Sequence, residues 1–97
     1  MLISSDKLIG LSVETQSKQA LGKLDGLIFE IESQSIYQYQ VKPGGIAHMF
    51  DQDMLISREQ IVSVTDKKIV VEDAVYLEQK EAQTAKTPLQ TGVAAKT

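Results

Sequence analysis

Cysteine is absent from this chain of 97 residues, and histidine occurs only once. Disulfide bonds, thiolate metal sites and cysteine nucleophiles are therefore excluded. Small secreted domains commonly depend on disulfides for stability, so their absence favours a reducing environment inside the cell.

Long hydrophobic runs are also missing. No stretch approaches the roughly 18 to 20 apolar residues that a membrane-spanning helix needs. The apolar residues 1–3 give way at once to polar residues 4–6, unlike the start of a secretory signal. From the sequence we expect no membrane insertion and a cytoplasmic location.

The chain also lacks an excess of positive charge. The chain carries 10 basic and 13 acidic residues, for a formal net charge of -3. Phosphate contacts from lysine and arginine supply most non-specific affinity for nucleic acids, so direct binding to DNA or RNA is disfavoured. A basic protein is easier to accommodate as a partner.

The chain does contain short segments in which apolar and polar residues alternate. The clearest is 35–42, where Tyr37, Tyr39 and Val41 alternate with glutamine and lysine. This period of two is typical of a strand with one buried face. We therefore predict that the two tyrosines face the core, and the alternative is that they form an aromatic recognition face.

Similar segments predict further strands at 8–13 and 27–32, and apolar residues at 74–77 are predicted to close the sheet. In 27–32 the alternation places Leu27, Phe29 and Ile31 on one face. Together these segments predict an all-β fold, a small single-domain antiparallel β-barrel of about six short strands. We expect this domain to span residues 1–77.

Turn-forming residues divide the predicted strands. Asp25-Gly26 is a strong tight-turn pair. Gly22 lies inside a predicted strand, where glycine often marks a bulge or a close approach of two backbones. Ser57 is placed to cap one short helical turn.

The composition changes at residue 78. Residues 78–97 are rich in alanine, threonine, glutamine and lysine and contain few large aliphatic side chains. Such a segment buries too little apolar surface to offset its ordering entropy. We predict a polar tail that is disordered or partly helical, with helix propensity over 78–86.

Four segments follow one another along the chain, and Val62 and Val64 come after the last of them: Gly10-Leu11-Ser12-Val13, Leu21-Gly22-Lys23-Leu24-Asp25, Leu27-Ile28-Phe29-Glu30-Ile31-Glu32 and Leu55-Ile56-Ser57. Their order resembles the PRC-barrel domain, which is named after the H subunit of the photosynthetic reaction centre. The resemblance extends over about residues 5–77, and one departure is Ser17-Lys18, where the family commonly has a glycine. It implies a barrel that serves as an interaction or assembly module, as in the C-terminal half of a bacterial ribosome-maturation factor.

Residues that could carry chemistry are few. His48 lies near Asp51 and Asp53, but one imidazole beside two carboxylates is a weak basis for a zinc site. Ser57 has no paired base in the sequence and fits a helix cap better than a nucleophile. We therefore predict no enzyme activity, no catalytic or metal-binding residues and no cofactor.

Candidate interaction residues lie in two places. Ile28 and Ile36 each fall on the polar face of their own strand, and we expect them to face each other and to begin an apolar patch for self-association or for a partner. The loop after 45 holds Ile46, Met49 and Phe50 beside His48. These loop residues either form a contact surface or plug one end of the barrel.

The sequence thus favours a non-enzymatic interaction module that docks on another protein and forms a homodimer. One alternative is a ribosome-assembly or RNA-processing accessory that contacts a basic ribosomal protein. A second alternative is a barrel that binds a small ligand near His48.

Overall fold

A computed structural model describes residues 1–83 of the chain. Six strands and two short 3-10 turns lie between a one-turn helix and a C-terminal helix. In chain order the elements are α1 (Ser5–Leu8), β1 (Ser12–Thr15), β2 (Ala20–Glu30), β3 (Ser35–Pro43), a 3-10 turn (Gly45–Ala47), β4 (Met54–Ser57), a second 3-10 turn (Arg58–Gln60), β5 (Ile61–Val64), β6 (Lys68–Val71) and α2 (74–83).

The six strands form one sheet in the order β4-β3-β2-β1-β6-β5. Neighbouring strands are antiparallel, except that β1 and β6 are parallel, so the predicted antiparallel arrangement is wrong for this one pair. β4 and β5 lie at opposite ends of this order, yet only the 3-10 turn Arg58–Gln60 separates them in the chain. The sheet must therefore coil until its two ends approach each other.

The predicted closed barrel is not completed, because no ladder joins β4 to β5 among the described strands. Instead, α2 covers the free edge of β4. The Gln79 Nε2 donates a hydrogen bond to the Leu55 carbonyl at 2.8 Å. A side chain thus occupies part of an edge that would otherwise be open for pairing with another strand.

The core is enclosed by the inner face of this coiled sheet. Strands β1, β2, β3, β4 and β6 all contribute side chains to one buried cluster, and α1, α2 and the first 3-10 turn close it. Its apolar members are Leu8, Val13, Leu21, Leu24, Tyr39, Val41, Ala47, Met54, Ile56, Ile69, Val71 and Val75.

The predicted strand at 74–77 is wrong, because these residues begin α2. Val75 is fully buried in the core, and the ring of Tyr76 stacks on Phe50 with 5.8 Å between centroids. Residues 78–83 continue the helix, in agreement with the predicted helix propensity. The remainder of the predicted tail lies outside the described residues.

Two predictions for the N-terminal half of the chain, a strand and a turn, are also wrong. The segment 8–13 begins as the end of α1 rather than as a strand, and β1 starts only at Ser12. Asp25-Gly26 does not reverse the chain. β2 continues through this pair because Leu24 and Gly26 both remain paired with β3, and Asp25 is absorbed as an irregularity in the register.

The glycine and cap predictions are confirmed. Gly22 has φ +143°, and the backbone of β3 passes so close to it that a Cβ atom would lie 1.9 Å from the Lys42 carbonyl oxygen. Ser57 precedes the 3-10 turn, and both its N–H and its hydroxyl donate to the Gln60 Oε1 at 3.3 Å. Lys18, at the family's glycine position, adopts a left-handed φ of 69°.

A carboxylate joins the β1–β2 turn to the start of α2. Asp73 accepts hydrogen bonds from the Ser17 N–H at 2.9 Å and from the Ser17 hydroxyl at 2.8 Å. Both bonds favour the charged form of the Asp73 carboxylate, and the bond from the Ser17 hydroxyl has the larger effect. They hold the pKa of Asp73 below its usual value of 3.8.

We expect this lowered pKa to make part of the stability dependent on pH. The contribution is present above the unfolded pKa and is lost as the pH falls below about 4 through the folded pKa. In Asp73→Asn the acid limb of a plot of melting temperature against pH should be shallower. Ser17→Ala should flatten the limb in the same way, and an unchanged limb in both variants would contradict the assignment.

Candidate interaction surface on the β2–β3 hairpin

The hairpin formed by β2 and β3 extends beyond the strands on either side. β1 pairs with β2 only as far as Lys23, followed by backbone hydrogen bonds to Leu24. β4 pairs with β3 only from Gln38 onward. The end of the hairpin therefore projects from the sheet with no further strand beside it among the described residues.

Large apolar side chains are concentrated on this projecting end. Phe29, Ile31 and Tyr37 are 55%, 80% and 59% exposed, and Ile28 and Ile36 are half-buried. Phe29 lies directly opposite Ile36 in the ladder, and the turn at residues 31–34 brings Ile31 to the end. We call these five residues the tip patch. Exposed apolar side chains gathered at one end of a hairpin are a feature that protein contact sites commonly have.

The charge around the tip patch has a single sign. Asp25, Glu30 and Glu32 lie on the same hairpin, and no lysine or arginine occurs between Leu24 and Val41. Within residues 1–83 the ion pairs are Arg58–Glu59 and Lys68–Glu14, so none involves these three carboxylates. The apolar tip is therefore bordered by negative charge that no cation of the described chain neutralises.

The predicted pair Ile28 and Ile36 lies in this region, but the two residues do not face each other. Ile28 pairs with Gln38, whereas Ile36 pairs with Phe29 and packs against the core cluster. The register shifts between Ile28 and Phe29, so the alternation of one strand no longer matches that of the other.

Phe29, Ile31 and Tyr37 were missed as surface residues, because the sequence pattern placed all three on the core face. Tyr39 does lie in the core, but Tyr37 comes before the first residue of β3 that pairs with β4, so no neighbouring strand covers it. The sequence carried no signal for this, since it predicted six residues each for 8–13 and 27–32, whereas β1 has four residues and β2 has eleven.

The predicted loop residues divide into two pairs. Ile46 and Phe50 pack against the core cluster, as expected for a plug. His48 and Met49 are exposed, and the His48 Nδ1 lies 3.0 Å from the Gly45 carbonyl oxygen. A contact role for His48 and Met49 stays a prediction.

No arrangement for metal chemistry is found near His48. Asp53 accepts a hydrogen bond from the Gln40 Nε2 at 2.9 Å. Across residues 1–83 no three histidine, cysteine, aspartate or glutamate side chains are grouped closely enough to hold a metal ion. Over the same part of the chain, no helix is both long and apolar enough to cross a membrane.

These features define a small β-sheet domain with an exposed apolar hairpin and no grouped metal ligands in its described part. The sequence matches the PRC-barrel domain over residues 1–81, and the chain belongs to that family. The family expected from the sequence is thereby confirmed.

A solved structure has a similar fold. It is the crystal structure of a putative 16S ribosomal RNA processing protein, RimM, from Pseudomonas aeruginosa, with 23% sequence identity and a TM-score of 0.54. The match covers 72% of this chain and 43% of that one, so this chain corresponds to less than half of the RimM protein. No curated protein matches the chain.

Proposed function

We propose that the protein is a non-enzymatic interaction module that docks on another protein through the tip patch. The observation that supports this most is the projection of the β2–β3 hairpin, which exposes more than half of the Phe29, Ile31 and Tyr37 side chains. Aromatic residues commonly anchor protein interfaces because they bury much surface at little cost in conformational entropy.

The carboxylates beside the tip patch favour a basic partner. Glu30 and Glu32 on either side of Ile31 would attract lysine or arginine around an apolar site on that partner. In a symmetric dimer formed through the same surface, the two copies would bring these glutamates together. A homodimer through the tip patch is therefore the competing outcome rather than the preferred one.

A second candidate function is an accessory role in ribosome assembly or RNA processing. The fold shared with the RimM structure and the acidic hairpin both suit contact with a basic ribosomal protein. It differs from the first candidate only in naming the partner, so one experiment addresses both.

We expect the double variant Phe29→Glu/Ile31→Glu to lose partner binding while it keeps the fold. Both side chains are mostly exposed, so their replacement removes apolar contact area without opening the core. The amount of partner that the protein captures from nuclease-treated native lysate should fall tenfold or more, as measured by quantitative mass spectrometry.

Val62→Glu is the matched control, because Val62 is 46% exposed on β5 and lies outside the hairpin. It should leave binding unchanged. A photo-crosslinking residue at position 31, but not at position 62, should attach to a basic protein. Equal crosslinking at both positions, or attachment only to a second copy of the chain, would refute docking of a different protein on the tip patch.

A further inference from the structure

One row of residues crosses four neighbouring strands on the outer face of the sheet. Ser12 of β1 lies opposite Lys68 of β6 on one side and opposite Lys23 of β2 on the other. Lys23 in turn lies opposite Lys42 of β3. All four side chains are exposed, so a net acidic protein carries a row of three lysines at one level of its sheet.

The lysines of this row differ in their partners. Lys68 forms an ion pair with Glu14, with 3.1 Å between the Nζ and Oε2 atoms. Lys23 and Lys42 have no carboxylate partner, since the ion pairs of residues 1–83 involve other side chains. Directly opposed residues of an antiparallel pair have Cβ atoms about 5 Å apart, and like charges there destabilise the sheet. Two lysines at opposite positions of neighbouring strands thus have no carboxylate partner within residues 1–83.

A cleft of about 430 Å³ opens beside these two lysines. The Ser12 side chain lines it together with Lys23 and Lys42, and the remaining lining is nonpolar or backbone: Ala20, Gly22, Pro43, Gly44 and Gly45. This volume lies within the range of about 300 to 1,000 Å³ that small-molecule sites occupy. On one side of the cleft, the Gly44 N–H donates a hydrogen bond to the Leu21 carbonyl of β2 at 2.8 Å.

We propose that this cleft binds the phosphate group of a small molecule. A phosphate dianion would neutralise both lysines at once, whereas a single carboxylate would neutralise only one. The Ser12 hydroxyl can donate a further hydrogen bond, and the nonpolar walls leave space for an uncharged organic group. This site is separate from the tip patch and does not depend on the proposed docking function.

The test is a titration of the full chain with sodium phosphate, followed by amide NMR shifts at ionic strength held constant with sodium chloride. We expect saturable shifts centred on Gly22, Lys23 and Gly44, with a dissociation constant on the order of 1 mM. Lys23→Gln and Lys42→Gln should each weaken binding about tenfold. Lys67→Gln should leave it unchanged, because Lys67 is exposed in the β5–β6 turn, outside the cleft.

Stability without phosphate separates binding from a structural role. Because the two lysines repel each other, neither glutamine variant should lower the melting temperature in chloride. Shifts that do not saturate, that spread over the entire surface, or that persist in both glutamine variants would overturn the proposal. A loss of melting temperature in chloride for either variant would show instead that the pair stabilises the sheet.

Discussion

Val75→Asp should leave the domain unfolded at 25 °C. Val75 has no exposed surface, and it closes the core from α2. A carboxylate placed there would lose its hydration with no cation in the apolar cluster to compensate, and such burial costs several kcal/mol, in addition to about 1.5 to 3 kcal/mol of apolar burial lost with the valine. Native domains are stable by about 5 to 15 kcal/mol, and a domain as small as this one lies toward the lower end of that range, so the combined loss exceeds its stability. Circular dichroism should therefore show no cooperative thermal transition in the variant.

Leu77→Asp is the matched control on the same helix. Leu77 is 62% exposed, so the same new charge meets water rather than the core. Its effect on the free energy of unfolding should stay within about 0.5 kcal/mol. If Val75→Asp unfolded at the wild-type temperature, α2 would not be part of the cooperative unit, and the boundary predicted at residue 77 would lie earlier in the chain.

The error at 74–77 arises because a short apolar run does not distinguish helix from strand. Ala-Val-Tyr-Leu fits either periodicity, so contacts with the rest of the chain decide. Val75 and Gln79 are one helical turn apart and share a face. That face fills the core and reaches the Leu55 carbonyl at the same time. Contacts with strands that are distant in sequence, together with the helix propensity of the residues that follow, favour the helix here.

The alternation of apolar and polar residues predicted burial correctly where a strand has neighbours on both sides. The prediction failed where the neighbouring strands end. Tyr39 and Val41 are buried as predicted, because β4 runs beside them. Tyr37, Phe29 and Ile31 follow the same pattern but extend beyond β1 and β4. An alternation with a period of two residues assigns a side chain to one face of the sheet, but it does not show whether other residues cover that face.

The candidate site was therefore only partly predictable. Ile28 and Ile36 pointed to the hairpin that carries the tip patch, since each lies among the polar residues of its predicted strand. The exposure of Phe29, Ile31 and Tyr37 follows from the unequal lengths of β1, β2 and β4, which only the structure shows. The row formed by Ser12, Lys23 and Lys42 depends on strand register, which a single sequence does not specify for residues so far apart.

A second large effect is expected at Gly22, where the backbone of β3 passes close to β2. Gly22→Ala would place a Cβ atom 1.9 Å from the Lys42 carbonyl oxygen and 3.0 Å from the Gly44 nitrogen, both of which are backbone atoms. The backbone φ of +143° also disfavours any side chain. Because β2 and β3 would have to separate, we expect a loss of about 4 kcal/mol in the free energy of unfolding, measured with urea.

Gly10→Ala separates the two causes of that loss. Gly10 also has a positive φ, +96°, but an added Cβ would meet no atom within 4 Å. This variant should lose only the conformational cost of a side chain at positive φ, about 1 to 2 kcal/mol. The difference between the two variants then measures the steric cost of separating β2 from β3. Equal losses would mean that these strands move apart freely, and in that case the register that aligns Lys23 with Lys42 would not be held in place by Gly22.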